Sequence, residues 1–367
     1  MSSNPRWWPY RLPIEEALKK SLVLVLGVVV GANVIEYLWN PMQDYEADLD
    51  KGKLALLQKY KKIHDEREIA NDAYGSDSDL PNDNNAFRPI FKKYKKRVPP
   101  PDFSQVIDSR DPNNFKQYGL ESRMVFDSIC ENDITIAEKL GLRHPSEWRV
   151  CTFPDRPGLY LLPQLLLKTA APIWIERVFR YAEPPNVTNM TAHGTSPESN
   201  VLENAGKSLR WTTLGVEYDW ATKEYPAEGR PIPEELRLFG QIISRSLNLG
   251  EMQPDATIVN YYPPKAYLSP HVDRSERSDA PLISLSLGQT AVYLSGGNSL
   301  TEPPIPLWLR NGDLLVLHGA QRLVYHAIPC IGVKSQATVF DDVADGLVRD
   351  YLNTSRVNIT IRQVNPH

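Results

Sequence analysis

The last third of the chain consists of short apolar runs separated by turn-forming residues. The runs are rich in β-branched and aromatic residues, and glycine, proline or asparagine lies between them. This spacing predicts short strands that close into a barrel or form a double sheet such as a jelly roll. The predicted strands are Thr257–Tyr262, Leu282–Leu287, Ala291–Leu294, Pro306–Leu309, Leu314–Leu317, Leu323–Ile328 and Arg356–Val364.

Helical spacing occurs before these strands. Residues Leu236 to Asn248 carry apolar side chains three and four positions apart, which predicts an amphipathic helix. A second candidate, Arg88 to Arg97, interleaves basic and aromatic residues and is stopped by three prolines, Pro99 to Pro101. Residues Pro184 to Lys207 are predicted to form a loop. The expected fold class is therefore α+β with a mainly β core, a double-stranded β-helix flanked by helices.

The chain is predicted to have two parts. Ser76 to Asn85 is polar and turn-rich, which is typical of a linker. We therefore place an N-terminal part with a hydrophobic helix and this linker at residues 1–85, and one domain at residues 86–367. A lysine-rich stretch from Lys51 to about Asn71 is expected to be helical.

The N-terminal part contains an unbroken apolar run, Leu22 to Ala32, that continues less evenly to Trp39. The unbroken part is shorter than the roughly 18–20 residues that span a bilayer, but the whole segment reaches that length. Three interpretations remain open: a membrane anchor through residues 21–39, a cleaved signal peptide, and a helix that is buried or binds a partner. The acidic Glu15 and Glu16 argue against a mitochondrial presequence.

Composition limits the classes of function that need considering. The chain has 367 residues, 41% of them hydrophobic and 23% charged, which fits a globular protein with a substantial core. The formal net charge is -4, so a nucleic-acid surface would have to be local. Cys130, Cys151 and Cys330 are far apart, which argues against a disulfide framework or a cysteine zinc site and favours a reducing compartment.

Candidate metal ligands lie in the strand-rich region. His271 and Asp273 are two residues apart, so on a strand their side chains share a face. His326 lies in a later predicted strand. Two histidines and one carboxylate form the facial triad of non-haem iron(II) oxygenases, although a surface pair and a core histidine would also explain these residues.

The last predicted strand carries an unusual polar face. Arg356, Asn358, Thr360 and Arg362 alternate with apolar residues and so share one side. Buried arginines need an anion, and a dicarboxylate would suit them; a solvated strand face is the alternative. On a flat strand the two arginines start about 20 Å apart, so both reach one small molecule only if the strand curves. Asn260 and Tyr262 lie on one face of another predicted strand and offer an amide and a phenol.

Several segments in a fixed order give the chain a recognisable signature. NYYPPKAYLSPHVDRSE is followed by PLISLSLG, NGDLLVLHG, QRLVYHAI and RVNITIRQV, and FRPIFKKYKKR and LRWTTLGVEYDW lie upstream. Together they resemble the AlkB family of iron(II)- and 2-oxoglutarate-dependent dioxygenases, most closely the AlkB homologue 1 subgroup. The resemblance runs from about Ala86 to Gln363.

The resemblance implies roles for matching positions. His271, Asp273 and His326 match iron ligands, and a second set matches the 2-oxoglutarate pocket: Asn260, Tyr262, Arg356, Asn358 and Arg362. Trp211 and Tyr218 match residues that shape the lid over the base. Three positions depart from the family pattern, Val216, Ser275 and Leu317, and these leave the identity of the base open.

The implied activity is oxidative demethylation of methylated bases in DNA or tRNA, with Fe(II), 2-oxoglutarate and O₂ required and formaldehyde, succinate and CO₂ released. The alternatives are a catalytically weak nucleic-acid or protein-binding scaffold and a protein hydroxylase. We expect a monomeric catalytic domain in an intracellular location, in the mitochondrion, nucleus or cytoplasm. The basic run Arg88 to Arg97 is the candidate local surface for nucleic acid, and its Phe91 and Tyr94 are expected either to stack on bases or to pack against the domain.

Overall fold

The structure is a computed structural model that describes residues 14–39, 53, 85–125, 129–191, 194–219 and 222–366. Contacts divide the chain into two compact units, residues 1–68 and 69–367. The boundary predicted at residues 85 and 86 stays a prediction. Apart from residue 53, the helical stretch predicted from Lys51 to Asn71 lies outside the described residues, as does most of the predicted linker.

Two antiparallel sheets form the centre of the second unit. The larger sheet has the strand order β1-β2-β3-β11-β8-β13-β6-β5-β4, and the smaller has the order β10-β9-β12-β7. The strands are β1 (Glu121–Met124), β2 (Arg149–Thr152), β3 (Leu159–Leu162), β4 (Val187–Thr188), β5 (Trp211–Gly215), β6 (Ala256–Tyr262), β7 (Leu268–His271), β8 (Leu282–Gly288), β9 (Ala291–Ser295), β10 (Ile305–Leu309), β11 (Leu314–Leu317), β12 (His326–Ile331) and β13 (Arg356–Arg362).

Helices of the second unit flank its sheets, and α1 belongs to the first unit. The helices are α1 (Ile14–Trp39), α2 (Phe87–Lys95), α3 (Pro112–Tyr118), α4 (Glu131–Leu140), α5 (Ala171–Tyr181), α6 (Val201–Ala205), α7 (Glu234–Ser246) and α8 (Gly346–Thr354). Apolar residues of α5, α7 and α8 form one core with Val357, Ile359 and Ile361 of β13. The apolar face of β13 thus turns toward the helices, which leaves its polar face turned the other way.

A second core joins the two sheets. Leu159, Leu161 and Leu282 of the larger sheet belong to the same buried cluster as Tyr293 and Leu307 of the smaller one. A shared core between two antiparallel sheets is consistent with the predicted jelly roll. The polar face of β13 therefore turns toward the space between the sheets, where a small polar ligand can be enclosed.

Most predicted elements of the last third are confirmed. The predicted helix Leu236 to Asn248 corresponds to α7, and six predicted strands match within about two residues at either end. The strand predicted at Leu323 begins only at His326, because a turn after a short 3₁₀ helix, Gly319–Gln321, precedes it. The loop prediction for residues 184–207 is wrong in part, because β4 and α6 lie within it.

The N-terminal helix α1 belongs to the first unit. Its described side chains from Leu18 to Val30 are exposed, and most of them are large leucine and valine side chains. Nevertheless, no helix among the described residues is long and apolar enough to cross a bilayer. The membrane anchor predicted through residues 21–39 is therefore not supported.

Candidate active site

The three predicted metal ligands meet at the end of the smaller sheet. His271 ends β7, Asp273 follows two residues later, and His326 begins β12 directly opposite His271. The Nε2 atoms of His271 and His326 lie 3.9 Å from Asp273 Oδ1 and Oδ2 respectively. One ligand atom from each residue lies within 4.8 Å of the other two, which is close enough to hold a single metal ion.

Backbone carbonyls set the orientation of both imidazoles. Nδ1 of His271 lies 2.9 Å from the Ser269 carbonyl oxygen, and Nδ1 of His326 lies 3.2 Å from that of Val324. Because a carbonyl oxygen only accepts, each Nδ1 carries the proton and each Nε2 keeps a lone pair for a metal. Burial lowers the pKa of His271 to about 3 and also lowers the pKa of His326. Both rings are therefore neutral at ordinary pH, as metal ligation requires.

Asp273 is held by a buried ion-pair network. Its carboxylate oxygen Oδ2 accepts a hydrogen bond from Nη2 of Arg362 at 3.1 Å. Burial alone would raise the pKa of Asp273, but Arg362 and the two imidazoles lower it below its usual range. Arg362 also pairs with Glu276, a buried carboxylate whose other partner is Arg322 at 3.2 Å. Asp273 is thus ionised and fixed in direction before any metal binds.

This network gives Arg362 a second role beside the predicted one, which stays a prediction. The alternation on β13 predicted two arginines that bind one dicarboxylate, yet Arg362 already contacts the carboxylates of Asp273 and Glu276. Neither Glu276 nor Arg322 was found from the sequence. A clue was available only for Glu276, an acidic residue three positions after the metal ligand Asp273. The network depends on contacts 40 or more residues apart, which a local pattern does not reveal.

Arg356, at the other end of β13, is a buried charge with no counterion among the described residues. Its side chain is 1% exposed, and Nη2 donates a 3.0 Å hydrogen bond to Ser286 Oγ. The guanidinium lies 4.9 Å from the centre of the Tyr262 ring. Nε and Nη1 have no hydrogen-bond partner in the described part of the chain. Buried polar groups are almost always satisfied, so these two donors fit a carboxylate that enters between the sheets.

The remaining predicted pocket residues form rows across the sheet. On β6 and β13, Tyr262 lies opposite Arg356, and Asn260 lies opposite Asn358. Directly opposed residues share a face, so the structure brings these four side chains together as expected. The amide of Asn358 is already in use, however, because Nδ2 donates to Ser284 Oγ at 2.7 Å. Asn358 therefore links β13 to β8 in addition to any contact with a ligand.

Two further hydroxyls face this region and were not found from the sequence. Tyr293 of β9 stacks on His326 with a centroid separation of 5.9 Å, and its phenol has no hydrogen-bond partner among the described residues. The hydroxyl of Ser295, opposite His326 in the sheet, likewise has none. Tyr293 and Ser295 thus add two unsatisfied hydroxyls beside His326, and Arg356 adds two unsatisfied donors at the other end of β13. The donor set fits both iron(II) and a dicarboxylate such as 2-oxoglutarate.

The two predicted lid residues lie on either side of a turn. Trp211 begins β5 opposite Asn260 and is 5% exposed, so little of its ring is available for stacking on a base. Tyr218 is half-buried, packs edge-on against Tyr225 at 4.9 Å, and accepts a hydrogen bond from Ser275 Oγ. Tyr218 is therefore the better placed of the two to contact a base. Its hydrogen bond with Ser275 connects it to the loop that carries Asp273.

Two sheets that enclose a His–Asp–His cluster and a buried arginine define a class of protein, the iron(II)- and 2-oxoglutarate-dependent oxygenases. Residues 158–362 match the 2OG-Fe(II) oxygenase superfamily. Within that superfamily the chain belongs to the AlkB family, in its AlkB homologue 1 subgroup.

The similarity to curated relatives extends over most of the chain. The nucleic acid dioxygenase ALKBH1 of Mus musculus is 30% identical over 76% of this chain and 84% of its own length. The tRNA demethylase abh1 of Schizosaccharomyces pombe is 30% identical over 77% of this chain and 96% of its own length. The DNA N(6)-methyladenine demethylase ALKBH1A of Arabidopsis thaliana is 28% identical over 77% of this chain and 96% of its own length.

Proposed function

We propose that this protein is an oxidative demethylase of methylated bases in nucleic acid, either DNA or tRNA. The observation that carries the proposal is a preformed His–Asp–His cluster together with the buried guanidinium of Arg356, whose Nε and Nη1 have no hydrogen-bond partner among the described residues. The names of three similar proteins support nucleic acid as the substrate, because each is described as a nucleic acid, tRNA or DNA enzyme.

The bound cofactors supply the oxidising chemistry: iron(II) and 2-oxoglutarate activate O₂, an N-methyl group becomes N-hydroxymethyl, and 2-oxoglutarate becomes succinate and CO₂. The N-hydroxymethyl group then loses formaldehyde. Residues of this chain prepare the site. His271, Asp273 and His326 would hold iron at one face, Arg362 keeps Asp273 ionised, and Arg356 would bind a carboxylate of 2-oxoglutarate.

Product stoichiometry tests this proposal against its alternatives. With Fe(II), 2-oxoglutarate and O₂, we expect equal amounts of formaldehyde and succinate from methylated oligonucleotides beyond any background turnover. A binding scaffold would release no succinate at all. A protein hydroxylase would release succinate with its own substrate but no formaldehyde from methylated oligonucleotides, and that result would contradict the proposal.

The basic helix α2 is the proposed general contact for nucleic-acid phosphates. Phe87, Phe91 and Tyr94 are buried against the outer face of the smaller sheet. Phe91 and Tyr94 are therefore not available to stack on bases, contrary to one of the two predicted roles. Lys92 and Lys96 are exposed and can face a phosphate backbone.

We expect the combined change of Lys92, Lys93, Lys95 and Lys96 to glutamine to weaken binding to tRNA and duplex DNA alike. The logarithm of the binding constant falls linearly with the logarithm of the salt concentration, and removal of each lysine that neutralises a phosphate should make this slope shallower by about 0.7–0.9. Lys93 donates to Gln105, and Lys95 lies 3.7 Å from the centre of the Tyr267 ring, so Lys92 and Lys96 should contribute most. Titrations at several salt concentrations measure the slope; an unchanged slope for both ligands would show that α2 is only a solvated face.

A further inference from the structure

A cavity of about 410 Å³ lies at the edge of the larger sheet, away from the active site. It is lined in part by residues of the edge strand β1 and of its neighbour β2. The strand order places β1 five strands from β13, or about 24 Å at the usual spacing of neighbouring strands. The cavity is therefore separate from the His–Asp–His cluster and from Arg356.

Three arginines give this cavity a positive charge. Arg110, Arg123 and Arg149 all line it. Arg110 is neutralised by the buried carboxylate of Asp313, which lies 2.6 Å from its Nη2 atom. Arg123 and Arg149 have no carboxylate partner in the part of the chain that the structure describes. Two of the three guanidinium charges therefore have no counterion among the described residues.

Hydroxyl groups lie beside these charges. Arg149 is opposite Met124 in the β1–β2 pair, and Ser122 is two positions from Met124, so Ser122 and Arg149 share one face of the strand pair. Ser109 also lines the cavity and is buried, and its hydroxyl has no hydrogen-bond partner among the described residues. A buried hydroxyl without a hydrogen-bond partner is rare in proteins, so a ligand that accepts a hydrogen bond from Ser109 Oγ, or donates one to it, would satisfy this group.

Apolar surface completes the lining. Phe115 and Met124, the latter 48% exposed, provide a surface on which a ring can pack. Guanidinium groups bind phosphate through two parallel hydrogen bonds, and they are the preferred side chains for that purpose. Two free guanidinium groups, two hydroxyls and an apolar wall match a phosphate group attached to a nucleoside.

We propose that this cavity binds a phosphate group carried by a nucleoside, either in a nucleic-acid backbone or in a free nucleotide. The site is independent of the demethylation chemistry. It offers a second attachment point about 24 Å from β13, a distance that about seven nucleotides cover at the roughly 3.4 Å spacing of one strand of a duplex.

The test uses the full-length chain and the double substitution Arg123→Gln with Arg149→Gln. Its matched control is Lys139→Gln with Lys334→Gln, which removes two exposed positive charges outside the cavity. Binding of inorganic phosphate, AMP and a single-stranded oligonucleotide is measured by calorimetry for all three proteins. We expect at least tenfold weaker binding of a phosphate ligand in the cavity variant and unchanged binding in the control. Melting temperatures should stay the same, because the substituted side chains are exposed.

The pattern of weakened binding identifies the source of the phosphate. Weaker binding of the oligonucleotide indicates a backbone phosphate, whereas weaker binding of AMP or inorganic phosphate with unchanged oligonucleotide binding indicates a free nucleotide. Binding of all three ligands that matches the control would overturn the proposal. Turnover of a free methylated nucleoside should be equal in the three proteins, so failure of this proposal is distinguishable from failure of the proposed demethylase function.

Discussion

The substitution Asp273→Ala is expected to abolish turnover while leaving the fold intact. Asp273 supplies the single carboxylate of the triad, and its two oxygens face the Nε2 atoms of both histidines. Loss of a group that merely orients a metal ligand typically costs about 10- to 100-fold in activity or metal affinity, so loss of a ligand should cost more. We expect activity to fall by more than about 100-fold at saturating iron.

Metal binding gives a second readout for the same variant. In the unsubstituted protein, Mn²⁺ or Co²⁺ should raise the melting temperature, because an ion that binds only the folded state stabilises it. Asp273→Ala should lose this increase. Asp279→Ala is the matched control, an exposed carboxylate six residues further along the same loop, and should behave like the unsubstituted protein. Full activity of Asp273→Ala would contradict the metal site.

The substitution Arg356→Met is expected to raise the 2-oxoglutarate requirement sharply. The change removes the charge but keeps most of the side-chain volume, so β13 should remain packed. Removing a charge-assisted partner from a buried carboxylate costs about 2–4 kcal/mol, equivalent to 30- to 1000-fold in affinity. The apparent KM for 2-oxoglutarate measures this directly.

Thermal stability separates this role from a structural one. Arg356 is buried and has no counterion in the part of the chain that the structure describes, so Arg356→Met should leave the melting temperature of the free protein unchanged or higher. The same variant should lose the stabilisation that 2-oxoglutarate confers. Arg349→Met, in α8, is the control, because its side chain is 39% exposed and lies at the surface. An unchanged affinity for 2-oxoglutarate in Arg356→Met would show that Arg356 binds no carboxylate.

The sequence predicted the site best where one strand carried the whole pattern. The alternation on β13 identified Arg356, and its register with β6 brings Asn260 and Tyr262 beside it as expected. The prediction for β13 and β6 succeeds because the side-chain direction on a strand repeats every two residues. His271 and Asp273 also come together as predicted, although β7 ends at His271 and Asp273 lies in the loop that follows.

Predictions failed where several segments have to meet. β7 was missed because it is only four residues long and contains Pro270, which lacks the N–H that a strand ladder uses. Arg362 pairs with Asp273, 89 positions away in the sequence, and with Glu276, 86 positions away. Tyr293 and Ser295 read as ordinary strand residues until the sheet places them next to His326. Such contacts are products of the tertiary fold and leave no local trace.

The most direct test of the proposed activity is mass spectrometry of nucleosides after incubation with tRNA and with methylated DNA. With Fe(II), 2-oxoglutarate and O₂, at least one methylated nucleoside should decrease while its unmethylated form increases by the same amount. The decrease should be absent without 2-oxoglutarate and absent with Asp273→Ala. If no methylated nucleoside of either substrate changes although succinate is released, this protein is not a nucleic-acid demethylase.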